Sequence, residues 1–294
     1  MAMNGVPLSR VRLTPRTPFD GAGLRVAVIG GTGGIGRAIS LFLAKHGAQV
    51  TVIGRTFRDA GVPNLSFLAA DLESMDAAQR LAQSLPAEDL DALIFTNGII
   101  TAPTRELTAE GIERDMAVSY LSRFGVLRAV GERLGANRPR RARVFLMGFP
   151  GTEEKGRPDD LNAVAEYKQF PQHLNTVAAN EALVLDAAQR FPNLSVFGIN
   201  PGLIKTDIRA NVLGGNQSVR FKVFETVLSW FTPTADAFAA NLVPVLFAPE
   251  LERESGFHLN KHAAPIQPST VMTLEHVTAF MAASDALWAR ATRR

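Results

Sequence analysis

The chain contains no cysteine, and its 294 residues include only two tyrosines and two tryptophans. The first absence excludes disulfides, thiolate metal centres and cysteine nucleophiles. The second confines any tyrosine chemistry to Tyr120 and Tyr167, and neither has a lysine four residues later. No apolar run approaches the roughly 20 residues that cross a bilayer. The opening "MAMNGVPLSRVRLTPRTPFDG" lacks the apolar centre of a signal peptide, so a cytoplasmic protein is expected. A charge bias is missing too: 31 basic and 28 acidic residues leave a net +3, with alternating signs, and nucleic acid is not an expected partner. The one basic cluster, "RPRRAR" at 138–143, reads as a solvated helix end. Of the five histidines only His258 and His262 lie close together. With no carboxylate at ligand spacing, no metal site is expected there.

What is present is an apolar content of 46%, enough for one large core. From Leu24 onward, short β-rich runs alternate with segments whose apolar residues recur every three or four positions. "RVAVIG" (25–30), "AQVTVIG" (48–54), "LSFLAAD" (65–71), "DALIFTN" (91–97), "ARVFLMG" (142–148) and "LSVFGINPG" (194–202) read as strands. "GIGRAISLFLAKHG", "MDAAQRLAQSLP", "GIERDMAVSYLSRFGVLRAVGERLG" and "PQHLNTVAANEALVLDAAQRF" read as helices. Strands this apolar belong to a sheet covered on both faces, and the alternation implies parallel order. The expected fold is α/β, a doubly wound parallel sheet of Rossmann type spanning residues 24–294 as a single domain. Residues 1–23 form an irregular leader. Residues 203–247 break the pattern where α/β enzymes place a substrate lid. Phe221, Phe224, Val227, Leu228, Trp230 and Phe231 then make either an apolar substrate wall or a packed or subunit-contacting helix.

The turn "VAVIGGTGGIGRAI" sets Gly30, Thr32, Gly33, Gly34, Ile35 and Gly36 between a strand and a helix. A phosphate approaches backbone only where Cβ is missing, and the following helix start supplies free N–H donors. The second strand ends in "VIGRT", with Arg55 where an acidic residue would bind the ribose of NAD. A guanidinium suits a 2′-phosphate, so NADP(H) is the expected cofactor, with Arg37 and Arg58 as helpers.

The spacing Gly30-x3-Gly34-x-Gly36 resembles the short-chain dehydrogenase/reductase superfamily, with Ile29 at its usual Thr position. The resemblance covers roughly residues 24–265 and implies further cofactor contacts: Asp71 and Leu72 at the adenine, Asn97 and Gly98 near the ribose, and Pro201, Gly202, Ile204 and Thr206 at the carboxamide. The loop "PDDLNAVAEY" is similar to the retinol-dehydrogenase-like branch and fixes the register.

That register leaves the family's four catalytic positions without their usual residues. Ser119 stands for Asn, Gly148 for Ser, His173 for Tyr and Val177 for Lys. Imidazole handles a proton near neutral pH without a lysine beside it, which makes a rebuilt site chemically consistent. His173, Tyr167 and Ser119 are the candidate proton-handling residues, and the alternative is that His173 merely fills the cleft. Asn175 and Asn180, not at three- or four-residue spacing from His173, read as structural or ribose-contacting. The leading expectation is an NADP(H)-dependent oxidoreductase acting on an apolar carbonyl, imine or enone, with a homo-oligomer left open. A catalytically silent NADP(H)-binding protein or sensor, and a non-redox isomerase or cyclase on the same scaffold, stand beside it.

Overall fold

The structure is a computed structural model that describes residues 8, 11–99, 103–202 and 233–293. Each expected strand forms: β1 (Arg25–Ile29), β2 (Gln49–Gly54), β3 (Leu65–Ala69), β4 (Ala92–Phe95), β5 (Ala142–Met147) and β6 (Leu194–Ile199). Two short strands extend the sheet, β7 (Phe257–Leu259) and β8 (Pro265–Ile266). The order is β3-β2-β1-β4-β5-β6-β7-β8, parallel throughout except for the last pair. It is a Rossmann-type sheet, and its strand order reverses between β1 and β4. At that point the connections leave for opposite faces and open a crevice beyond the carboxyl ends of the strands.

Successive residues of each strand feed opposite cores. Val26, Val28, Ile94, Phe145 and Phe197 face α1 (Gly34–Lys45) and α6 (Ala235–Leu246). Ala27, Ile29, Leu93, Phe95 and Val144 face α2 (Met75–Ser84), α4 (Ser122–Val130), α5 (Gln169–Arg190) and α7 (Leu274–Thr292). The short α3 (Arg114–Met116) runs into α4 through a π turn at Ala117–Leu121. Glu113 caps this stretch, its carboxylate accepting from the Asp115 and Met116 amides at 3.1 and 2.9 Å. Helix α7 closes the second core. Trp288 lies against Gly125, where a Cβ would overlap the indole, and the Tyr120 hydroxyl meets Ser284 Oγ at 2.5 Å.

Three expectations change. Of the stretch read as a lid, 203–232 lies outside the described residues, while α6 is a scaffold helix: Thr234 caps it and Phe238, Leu242, Val243 and Leu246 are buried. Its apolar face is wide because it covers sheet rather than substrate. Residues 11–20 are irregular, as expected, yet belong to the core. Phe19 is buried with its ring 5.8 Å from Phe42 and 5.7 Å from Phe247, and the Arg16 amide donates to Pro244 O. The "RPRRAR" cluster is a solvated end only in part: Arg140 is exposed, but other arginines of the cluster are engaged. Arg138 pairs with Asp91 at 2.9 Å, and Arg143 is buried in β5, donating to Leu246 O at 2.6 Å.

Candidate active site

The glycine turn lies at the carboxyl end of β1, where the crevice opens. Gly30 has φ +84°, a left-handed conformation that favours glycine, and a Cβ there would overlap the Asn97 backbone. A Cβ on Gly36 would overlap Thr96 Oγ1 and the Gly30 carbonyl, so this glycine lets α1 approach the sheet. Gly33 is the N-cap of α1: no side chain caps the helix, no acidic residue stands in its first turn, and no heavy atom lies within 4 Å of where a Cβ would be. This open helix start fits a pyrophosphate.

At the adenosine end, Arg55 is largely exposed, 3.9 Å from Glu73, and borders a hollow with Ala70, Asp71, Ser74 and Arg80. Arg37, expected to assist it, is engaged elsewhere. Its guanidinium forks onto the buried Asp59 at 2.8 and 2.6 Å, a bond that raises the pKa of Arg37 and lowers that of Asp59. Leu72 is buried, while the Asp71 carboxylate accepts from the Glu73 amide at 3.2 Å. Asn97 turns its amide inward to Val118 O (2.6 Å) and Ser122 Oγ (3.2 Å), fixing the Asn97–Gly98 turn. Beyond β6, Pro201 is buried and Gly202 adopts φ +65°, its amide donating to Asn200 Oδ1 at 3.0 Å. Ile204 and Thr206 lie outside the described residues.

The catalytic positions converge on a residue that sequence reasoning missed. Asp115, 1% exposed, accepts from His173 Nδ1 at 2.8 Å through Oδ2 and from Ser119 Oγ at 2.5 Å through Oδ1. The His173 side chain is 21% exposed, and its Nε2 has no partner among the described residues. A carboxylate on Nδ1–H fixes the tautomer that presents Nε2 for proton exchange. The Ser119 hydroxyl also accepts from the Ile99 amide at 3.0 Å. It is therefore fully employed within the protein.

Neighbouring side chains hold this pair in place. Gln172 donates to Glu113 at 3.2 Å and to Leu161 O at 2.9 Å, and Asn162 accepts from the Glu113 amide at 2.8 Å. The Asp-Leu-Asn element thus ties the start of α5 to the cap of α3. Burial raises the Glu113 pKa, and the amide bonds of its cap act against that. Arg123, 3% exposed, donates to Met147 O at 2.6 Å, to Asn180 Oδ1 at 3.1 Å and to Asn97 O. Burial lowers its pKa to about 9, opposed by the charge of Asp115.

The remaining candidates are placed as follows. Tyr167 is half-buried just before α5, and Tyr120 is a core residue whose pKa burial pushes up. Gly148 faces open space, with Pro150 Cδ 3.9 Å from where a Cβ would be, while Val177 is buried. Asn175 accepts from the Arg157 amide at 2.8 Å, a structural bond. His258 is fully buried against Glu181 at 3.1 Å, and no cluster of metal-ligating side chains occurs among the described residues. No helix among those residues is long and apolar enough to cross a membrane.

Comparison with known proteins agrees with this geometry. Residues 25–144 match the short chain dehydrogenase family. A Saccharomyces cerevisiae protein named as the uncharacterized oxidoreductase YKL107W is 43% identical over 282 residues, 94% of this chain and 91% of that protein. The chain belongs to the short-chain dehydrogenase/reductase superfamily, an oxidoreductase family that binds nicotinamide cofactors. A Streptomyces protein named as a candidate daunorubicin C-13 ketoreductase, DnrU, is 28% identical over 87% of this chain and 91% of its own length. A short chain dehydrogenase of Shigella flexneri solved with NADP superposes with TM-score 0.60 at 19% identity, covering 82% of this chain and 97% of that one. A family member from Francisella tularensis superposes equally well, with TM-score 0.60 at 17% identity over 81% and 96% of the two chains. Those two likenesses show the fold.

Proposed function

We propose that this chain is an NADP(H)-dependent carbonyl oxidoreductase whose proton is handled by His173 oriented by Asp115. The observation that carries the reading is the 2.8 Å bond between a buried carboxylate and an imidazole that still reaches solvent. An acid–base group needs both features, a fixed ring and an accessible nitrogen. When bound, the nicotinamide supplies or accepts the hydride. The chain's own residues do the rest. The glycine turn and the α1 start hold the pyrophosphate, Arg55 meets the 2′-phosphate, and His173 Nε2 passes its proton to the carbonyl oxygen that gains charge. Asp115 stabilises the imidazolium whenever the ring is charged, and Ser119 keeps the carboxylate in place.

An apolar substrate is supported by Phe170 and Leu174, which stay 56% and 37% exposed on α5 within one helical turn of His173. A ketone as the acceptor is supported by the name of the Streptomyces relative. A second reading, a silent NADP(H) sensor, draws on Gly148 and Val177, which offer no polar side chain to a substrate.

Calorimetric titration of NADPH and NADH, with Arg55→Asp alongside, tests the cofactor. NADPH is expected to bind more tightly, and the variant to lose that preference. Failure of both dinucleotides to bind would remove the reading. Turnover of a ketone panel, followed near 340 nm in the wild type and in His173→Ala, then separates enzyme from sensor. Equal turnover in the two would exclude the proposed role of His173.

A further inference from the structure

Two opposite charges are buried beside the crevice without a direct ion pair between them. Asp115 and Arg123 are 1% and 3% exposed. Both oxygens of Asp115 are taken, by His173 and Ser119. Among the described residues, every hydrogen bond that Arg123 makes goes to a neutral oxygen, of Asn97, Met147 or Asn180. Its Nε is buried without a partner. Yet Asp115 acts on the charge of Arg123, and the serine bound to Asp115 lies beside that cation: Arg123 Nη2 and Ser119 Oγ are both 3.5 Å from where a Cβ on Gly98 would be. Asp115, Ser119 and Arg123 follow one another at four-residue intervals along the α3–α4 stretch.

A buried guanidinium with an unpaired nitrogen is costly, and three neutral acceptors are served as well by a neutral donor. The positive charge itself needs an explanation. A direct bridge to Asp115 would compete with His173 and Ser119 for its oxygens. Set back behind Ser119, the cation acts on Asp115 through its field and leaves both bonds intact. We infer that Arg123 is a positioning cation for the Asp115–His173 pair: it balances the buried carboxylate, so that the pair gains and loses its proton at His173 rather than retaining an extra one. This rests on the reading of that pair as the proton-handling group.

The test is an NMR titration of the His173 imidazole nitrogens in the cofactor-free full chain. The groups that bear on that ring are Asp115 directly, Glu113 through Gln172, and Arg123. In Arg123→Gln the pair is expected to hold its extra proton to a pH higher by about one unit, roughly a tenfold change in protonated fraction. Arg123→Lys, which keeps the charge, is expected to stay within about 0.3 unit of the wild type, at most about a third of that shift. An unchanged titration in a folded Arg123→Gln, or an equal shift in Arg123→Lys, would overturn the inference. Should the Gln variant not fold, Asn180→Asp sets a carboxylate against Nη1 and cancels the field in place. The same upward shift is expected there, and its absence is equally decisive. Because no cofactor is present, failure of this test is distinct from failure to bind NADPH.

Discussion

Replacing Gly36 by alanine adds one methyl group at the point where α1 meets the ends of β1 and β4. That methyl would overlap Thr96 Oγ1 and the Gly30 carbonyl. The threonine can rotate, but only by breaking its 2.9 Å bond to Ile29 O. The carbonyl cannot move without moving the whole turn. Overpacking of this kind costs about 1–3 kcal/mol and the lost hydrogen bond about 1 kcal/mol. Alanine returns up to about 1 kcal/mol through its helix propensity. The net loss is about 1–3 kcal/mol, which lowers Tm by roughly 2–5 °C for a chain of this size. Gly148→Ala is the control: the same chemical change where only Pro150 Cδ comes within 4 Å. It is expected to melt within about 1 °C of the wild type. Scanning calorimetry of the three proteins, with NADPH titrated into each, gives both readouts. The Gly36 variant should also bind NADPH more weakly, since its strain falls on the turn itself. If Gly36→Ala melts with the wild type, the close approach of α1 is not what that glycine serves, and the account of the turn fails.

Asp115→Asn is expected to slow ketone turnover by roughly 10²–10⁴-fold, in line with the loss of a positioned acid–base group and its orienting carboxylate. NADPH affinity should be unchanged, because Asp115 does not contribute to the glycine turn. Tyr120→Phe should cost about 1 kcal/mol in chemical denaturation and leave turnover intact, since Ser284 keeps its 2.7 Å bond to Phe280 O. Glu181 gives a pH prediction. Burial alone would raise its pKa, but bonds from His258 and from the Ser269 and Gly151 amides hold it below the usual 4.5. Such a group contributes stability above its unfolded value, and that stability is lost as pH falls through the folded one. Glu181→Gln should therefore flatten the fall of Tm between about pH 5 and 3, and an unaltered acid limb would contradict this account.

The inner strands were legible because burial on both faces writes them as largely apolar runs, and the edge strand β3, which has no fully buried residue, because its β-rich run fits the strand–helix alternation. Strands β7 and β8 were not. Phe257–Leu259 is three residues with a histidine in the middle, and its strand state comes from pairing with β6 rather than from any periodicity of its own. Helix α6 was legible as a helix but not as scaffold, since an apolar face reads alike whether it meets sheet or substrate. At the site, His173 and Ser119 could be found by register. Asp115 could not, because an acid near a helix start ordinarily reads as a solvated, dipole-favouring charge. Its burial is a tertiary fact, produced when α5 lays His173 over it. One signal was available: Asp115, Ser119 and Arg123 recur every fourth residue, a polar stripe along a stretch otherwise made of Ile112, Met116, Tyr120 and Phe124. The Arg37–Asp59 fork was invisible for the same reason, since its partners stand 22 residues apart.

The π turn at Ala117–Leu121 makes the site depend on a count of residues as well as on their identities. A π turn holds one residue more than the α-helical path through the same space. Deleting one of those five positions would let the stretch close into a regular helix with its two ends kept in place, whereas deleting one from the regular helix that follows would rotate everything before it by about 100° relative to the rest of α4. In the latter case Asp115 would swing away from His173 with no named side chain altered. In such a protein, alignment gaps carry as much functional meaning as substitutions, and a relative could keep every polar residue of this site and still have lost it by a single codon.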